Sequence, residues 1–156
     1  MEQAREVPLA VFSIENETYA IHLDHLVEIL LEFKIDPLPH VGGHFIGTIS
    51  FPRRGGVNIP VVDLASLFGF TSPPDKRHLL VVQENGNRAG LLIDSPTEIV
   101  RVKPEAITPP PDIFSESERG YVTAVARLGP RLASLIRPIR AVETLSIRTP
   151  PVGIGG

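Results

Sequence analysis

The chain contains no cysteine. Disulfides, thiol chemistry and cysteine-ligated zinc are therefore excluded. Long hydrophobic runs are also lacking. The longest apolar stretches fall far short of a membrane span, so no direct membrane insertion is expected. Residues Met1 to Val7 carry charges and no apolar signal-peptide core, and a cytoplasmic protein is the expectation. No excess of one charge sign is present either. A formal net charge of -3 calls for neither a nucleic acid nor an anionic membrane as partner. With 42% hydrophobic and 21% charged residues, disorder is excluded as well.

What is abundant is punctuation. Sixteen prolines and 13 glycines cut the 156 residues into short pieces. Long helices are hard to place between such breaks, so the composition favours β structure. The length suits one domain or two small fused subdomains.

Leu9 to Ile14 and Thr18 to Leu23 read as a hairpin about the polar turn Glu15-Asn16-Glu17. Asp24 is placed to cap a short helix, with Leu26, Ile29 and Leu30 on one face. Leu31 to Asp36 alternates apolar and polar residues, the period of a half-buried strand. Pro37-Leu38-Pro39 ends it. Phe45 to Phe51 and Val57 to Leu64 read as strands joined by the loop Pro52-Arg53-Arg54-Gly55-Gly56. Pro60 marks an edge or a bulge, since proline lacks a ladder N–H. Ala65 to Phe68 forms one helical turn, stopped by Gly69.

The polar stretch 71–77 is the expected hinge between two halves. His78 to Glu84 and Arg88 to Asp94 flank Asn85-Gly86, the strongest hairpin signal in the chain. Thr97 to Lys103 is a further strand, and Pro109-Pro110-Pro111 a stiff spacer. Tyr121 to Leu128 and Arg131 to Ile136 make a last hairpin about Gly129-Pro130. Ile139 to Leu145 reads as a closing helix, and residues 146–156 as a loose tail. The sum is an all-β fold with one or two short helices, nine or ten short strands closing into one or two barrels.

Groups able to do chemistry are scattered. His22 and His25 are three apart, and His40 and His44 four apart, but neither pair sits on a helix that fixes both rings. No His-Glu-x-x-His pattern, Gly-x-Ser-x-Gly elbow or phosphate loop is present. Asp63 and Asp94 each end an apolar strand. They read as caps in preference to a catalytic pair. No cofactor and no catalytic residue is assigned. Arg53 and Arg54 at a loop tip fit two readings equally, solvated turn residues or carboxylate-binding contacts. Leu91 and Ile93 fit either barrel interior or interface, because barrels bury alternate residues whatever their function.

The order of elements resembles the CheW-type chemotaxis coupling proteins. Phe12-Ser13-Ile14 and Tyr19-Ala20-Ile21 look like that family's first hairpin, and Leu26-Val27-Glu28-Ile29 like its following short helix. Pro39 and Phe45-Ile46-Gly47 resemble the run into its central strand. Ile59-Pro60-Val61-Val62-Asp63-Leu64 is the most telling match. Gly90 to Asp94, Ile99-Val100, Ile107-Thr108-Pro109-Pro110 and Tyr121 to Leu128 match the later half. The resemblance covers residues 9–145.

It implies two small SH3-like five-stranded β-barrels packed together, and a non-catalytic adaptor. Such an adaptor joins the regulatory domain of a chemotaxis histidine kinase to the cytoplasmic tip of a chemoreceptor. The partner-facing positions carried over are Leu26, Glu28, Gly47, Arg53, Arg54, Gly55, Leu91 and Ile93. One departure bears on this. The stretch 50–56 is longer than the family's compact Asn-Leu-Arg-Gly turn. A regulator that keeps only one of the two partners is therefore the alternative. A small His/Asp metal hydrolase is the more distant one.

Overall fold

Tight turns set the local geometry. Asn85 and Gly86 take φ of 51° and 83°, the left-handed pair that a two-residue hairpin turn demands. Glu15 does the same work in the first hairpin at φ 56°. The computed structural model describes residues 5–37, 44–51, 56–71 and 78–148. In chain order the strands are β1 (Val7–Ile14), β2 (Glu17–His22), β3 (Leu26–Leu30), β4 (Phe45–Phe51), β5 (Val57–Asp63), β6 (His78–Glu84), β7 (Asn87–Ile93), β8 (Glu98–Val102), β9 (Ile107–Thr108), β10 (Val122–Leu128) and β11 (Arg131–Ile136). The helices are α1 (Leu64–Leu67), α2 (Glu116–Arg119) and α3 (Pro138–Arg148), with 3-10 turns at Leu23–His25 and Pro104–Ala106.

The strands form two curled sheets. One runs β8-β1-β2-β11-β10-β9, the other β3-β6-β7-β5-β4. The all-β class read from the sequence holds. The chain leaves the first sheet after β2 and returns to it at β8, so the sheets are not successive halves. Residues 72–77, most of the expected hinge, lie outside the described residues. The elements on either side, α1 and β6, both belong with the second sheet.

Two local expectations are corrected. Leu26 to Leu30 is a strand, not a helix, and Asp24 caps nothing there: its own N–H is met by His22 Nδ1 at 3.2 Å. The cause is a bulge. The register of β3 on β6 shifts between Leu26 and Glu28, which breaks the two-residue alternation and leaves apolar residues at helix-like spacing. Leu31 to Asp36 is largely irregular. Only Asp36 bridges to β4, through Asp36 N–H to Thr48 O (2.8 Å) and Thr48 N–H to Asp36 O (2.9 Å). Phe33 and Ile35 still pack inward, whereas Leu31 is 65% exposed. Pro60 sits in an interior strand, but β7 pairs only with Val61 to Asp63. Beyond that point β5 has no second partner among the described residues for a proline to deny.

The largest cluster of buried side chains fills the space between the sheets. Phe12, Ile14 and Ile21 from the first meet Val62, Leu80, Leu91 and Ile93 from the second. Burying each such side chain contributes about 1.5–3 kcal/mol before entropy is charged. Helix α3 closes this core with Ile139, Ala141 and Val142. A buried carboxylate ties it down: Glu84 at the end of β6 pairs with Arg137 and accepts from Arg140 N–H at 3.4 Å. That places an anion at the positive end of α3.

Candidate partner-binding surface

β3 is the outer strand of its sheet, paired on one side with β6. Its sequence explains its two characters. Leu26, Ile29 and Leu30 point inward, and Val27 and Glu28 point out. Val27 is 40% exposed, a large apolar side chain on an open strand edge. β4 is the other outer strand of the same sheet. Because the sheet curls, the two edges approach, and segment 31–36 lies across the seam.

A shallow groove of about 330 Å³ marks that seam. It is lined by Leu30 of β3, Ile49 and Ser50 of β4, and Glu32, Phe33, Lys34 and Asp36 between them. Exposed Leu31 adjoins it in sequence. An open edge with apolar side chains flanked by both charge signs suits contact with another protein.

Leu26 and Glu28 are brought together on β3. Leu26 is half-buried against the inter-sheet core and Glu28 is exposed. Gly47 is buried on β4, at a register shift against β5. A Cβ there would lie 2.3 Å from Asp36 O and 2.8 Å from Ile35 Cγ2. The position needs glycine so that segment 35–36 can approach, and its part in any surface is to hold the seam. Leu91 and Ile93 are placed in the core, at 0% and 1% exposure. Fully enclosed side chains have nothing to offer a partner, so the interior alternative applies to both. Arg53, Arg54 and Gly55 lie outside the described residues. Sequence reading missed the exposed Val27 and Leu31. Leu31 looked like one more inward residue of an alternating strand, and only the lost ladder turns it outward.

The chemistry-bearing groups stay dispersed. Among the described residues no three His, Asp or Glu side chains gather as a metal site. His25 Nδ1 lies 3.2 Å from Gln83 O and donates to it as the Nδ1–H tautomer. His22 Nδ1 is taken by Asp24 N–H. His44 Nδ1 is 3.0 Å from Ser66 Oγ. Asp63 is the N-cap of α1, its Oδ1 accepting from Ser66 N–H at 3.4 Å. Asp94 is exposed at the end of β7. His40 lies outside the described residues.

Comparison with known proteins gives a consistent result. The family model described as the CheW-like domain matches residues 8–145. The chemotaxis protein CheW of Rhizobium meliloti is 29% identical over 130 residues, covering 82% of both chains. The chemotaxis protein CheW of Helicobacter pylori is 29% identical over 128 residues, 81% of this chain and 75% of its own. The crystal structure of the scaffolding protein TtCheW from Thermoanaerobacter tengcongensis superposes with a TM-score of 0.72 at 24% identity, over 86% of this chain and 90% of that one. The two curled sheets thus correspond to a pair of SH3-like β-barrels.

Proposed function

The chain belongs to the CheW-like domain family, and we propose that it joins a chemotaxis histidine kinase to a chemoreceptor as a non-catalytic adaptor. The observation that carries this reading is the family match across residues 8–145. No helix of the described residues is long and apolar enough to cross a membrane, and a cytoplasmic location goes with the proposal. Its kinase partner is the regulatory domain, met barrel to barrel. Its receptor partner is the helical hairpin at the cytoplasmic tip, lying along the β3 edge and its groove in a helix-in-groove contact. Glu28 and the exposed Val27 and Leu31 support this placement. Arg53, Arg54 and Gly55, in the sequence between β4 and β5, stay partner-facing candidates on the resemblance alone.

Isothermal titration of the purified chain with each partner separately tests the reading. Both titrations should give saturable heats. Val27→Asp, which changes an exposed side chain, should weaken the receptor titration and spare the kinase one. Binding to the kinase domain alone, even in the parent chain, would establish the single-partner regulator instead.

A further inference from the structure

At the far end of the inter-sheet core four aromatic rings stack in a row. Ring centroids are 6.0 Å apart for Phe12–Tyr19, 4.9 Å for Tyr19–Phe68 and 5.9 Å for Phe68–Tyr121, at interplanar angles of 16° to 23°. The row is not wholly enclosed. A cleft of about 270 Å³ opens beside it. Tyr19, Phe68, Phe70 and Phe114 line this cleft, and each is only half-buried. The walls come from β2, the segment after α1, and the segment before α2, so three separately anchored pieces of chain hold it open.

Two carboxylates, Glu17 and Glu118, also line the cleft, and among the described residues no lysine or arginine does. Neither forms an ion pair among the described residues. Glu118 is held in place by Ser115, whose N–H and Oγ both reach Oε1, at 3.1 and 2.9 Å. Its Oε2 is outside that pair of bonds. The Tyr19 hydroxyl has no hydrogen bond among the described residues. Burial, and then the Glu17 carboxylate, hold its phenol well above the usual range. It therefore stays a neutral hydroxyl and adds an acceptor to the cleft. The result is an aromatic-walled, pre-formed cavity with two carboxylates that no cation among the described residues compensates.

We propose that this cleft, walled by Tyr19, Phe68, Phe70 and Phe114 and flanked by Glu17 and Glu118, is a pocket for an arginine side chain of a partner protein. Charge complementarity selects a cation. The aromatic walls select the planar, weakly hydrated guanidinium over a lysine ammonium, because it stacks on rings while its several N–H groups reach separate acceptors. Three acceptors of different kinds, two carboxylates and a phenol, suit such a fork. The inference concerns a different face from the β3–β4 groove and does not rest on the kinase and receptor assignment.

The test is a nuclear magnetic resonance titration of the full chain with the peptide acetyl-Gly-Arg-Gly-amide. Its counterparts carry citrulline, the neutral isostere, or lysine. The arginine peptide should give saturable shifts centred on the amides of Tyr19, Phe70 and Phe114, with a dissociation constant on the order of 1 mM, as expected for a single anchored side chain. Citrulline should give none, and lysine weaker ones. The double variant Glu17→Gln with Glu118→Gln should weaken arginine binding about tenfold. Glutamine at 118 keeps the helix-capping contact, and a thermal melt checks that the variant is folded. If it is not, Glu17→Gln alone, at an exposed position, should weaken binding about threefold. Shifts absent or scattered over the surface, equal shifts with citrulline, tighter binding of lysine, or undiminished binding by the folded variant would each overturn the proposal.

Discussion

Replacing Gly47 by alanine strikes the seam where segment 35–36 is held against β4. The new Cβ would sit 2.3 Å from Asp36 O, 3.0 Å from Asp36 C and 2.8 Å from Ile35 Cγ2. Carbon atoms in ordinary contact lie about 3.5–4.0 Å apart, so the two carbon contacts are too close by about half an ångström or more, the Asp36 O contact is closer still, and two of the three atoms are backbone. A side-chain rotation cannot relieve it. Segment 35–36 must move away from β4, which breaks the two hydrogen bonds between Asp36 and Thr48. At about 0.5–1.5 kcal/mol net each, that is about 1–3 kcal/mol. The backbone at this position, φ +155°, adds roughly 1 kcal/mol for a residue with a Cβ. The expected loss is about 2–4 kcal/mol, read from urea unfolding by circular dichroism. Gly90→Ala is the control. Its Cβ would meet only the Leu79 side chain, at 3.2–3.4 Å, and the backbone is ordinary. It should lose about 1 kcal/mol or less. A Gly47→Ala protein within 0.5 kcal/mol of the parent would refute the reasoning about the seam, whatever its binding.

Glu84→Ala should destabilise by about 1–3 kcal/mol, because it removes the buried partner of Arg137 and the acceptor for Arg140 N–H. Arg137 is itself 38% exposed and can rehydrate, so the loss falls short of that for a fully enclosed pair. Hydrogen exchange in α3 should accelerate first, and unchanged protection there would contradict the tie. Leu91→Ala should cost about 2–5 kcal/mol in a denaturant melt, as a cavity in a fully buried site does, and Val27→Asp almost nothing. Equal effects would mean that Leu91 is no more internal than Val27. With Tyr121 changed to phenylalanine, Tyr19 is the remaining tyrosine. Its phenol is raised, by burial first and by Glu17 next, so the fold favours the protonated form. That contribution is complete below the unfolded value near about pH 10 and is lost as pH rises above it. Phenolate absorbance should therefore appear only well above the free-tyrosine range, together with unfolding.

Elements fixed by local chemistry were legible before any coordinates. Asn85-Gly86 allows little but a tight hairpin turn, and Asp63 reads as a cap of its strand end or of the turn that follows, which the structure starts at Leu64, one residue before the expected Ala65. β3 was not legible, because a bulge makes a strand imitate helical spacing. Strand pairing was not legible either. β11 lies parallel to β2 across a separation of more than a hundred residues, and no local signal selects that partner. At the candidate site, the choice of Leu26 and Glu28 rests on the ordered resemblance, and the structure places both on β3. Leu91 and Ile93 were left between core and interface. The uninterrupted apolar run from Ala89 to Ile93 carried a usable sign, since a strand covered on both faces need not alternate. Val27 and Leu31 escaped because exposure depends on which edge lacks a neighbour.

The most direct measurement asks whether this chain, by itself, holds the two signalling proteins together. A receptor-tip hairpin is immobilised, and retention of the kinase regulatory domain is recorded with and without the chain. The account predicts retention only when the chain is present, reduced by Val27→Asp and unaffected by loss of any histidine. Retention without the chain, or none with it at concentrations well above micromolar, would contradict the adaptor role.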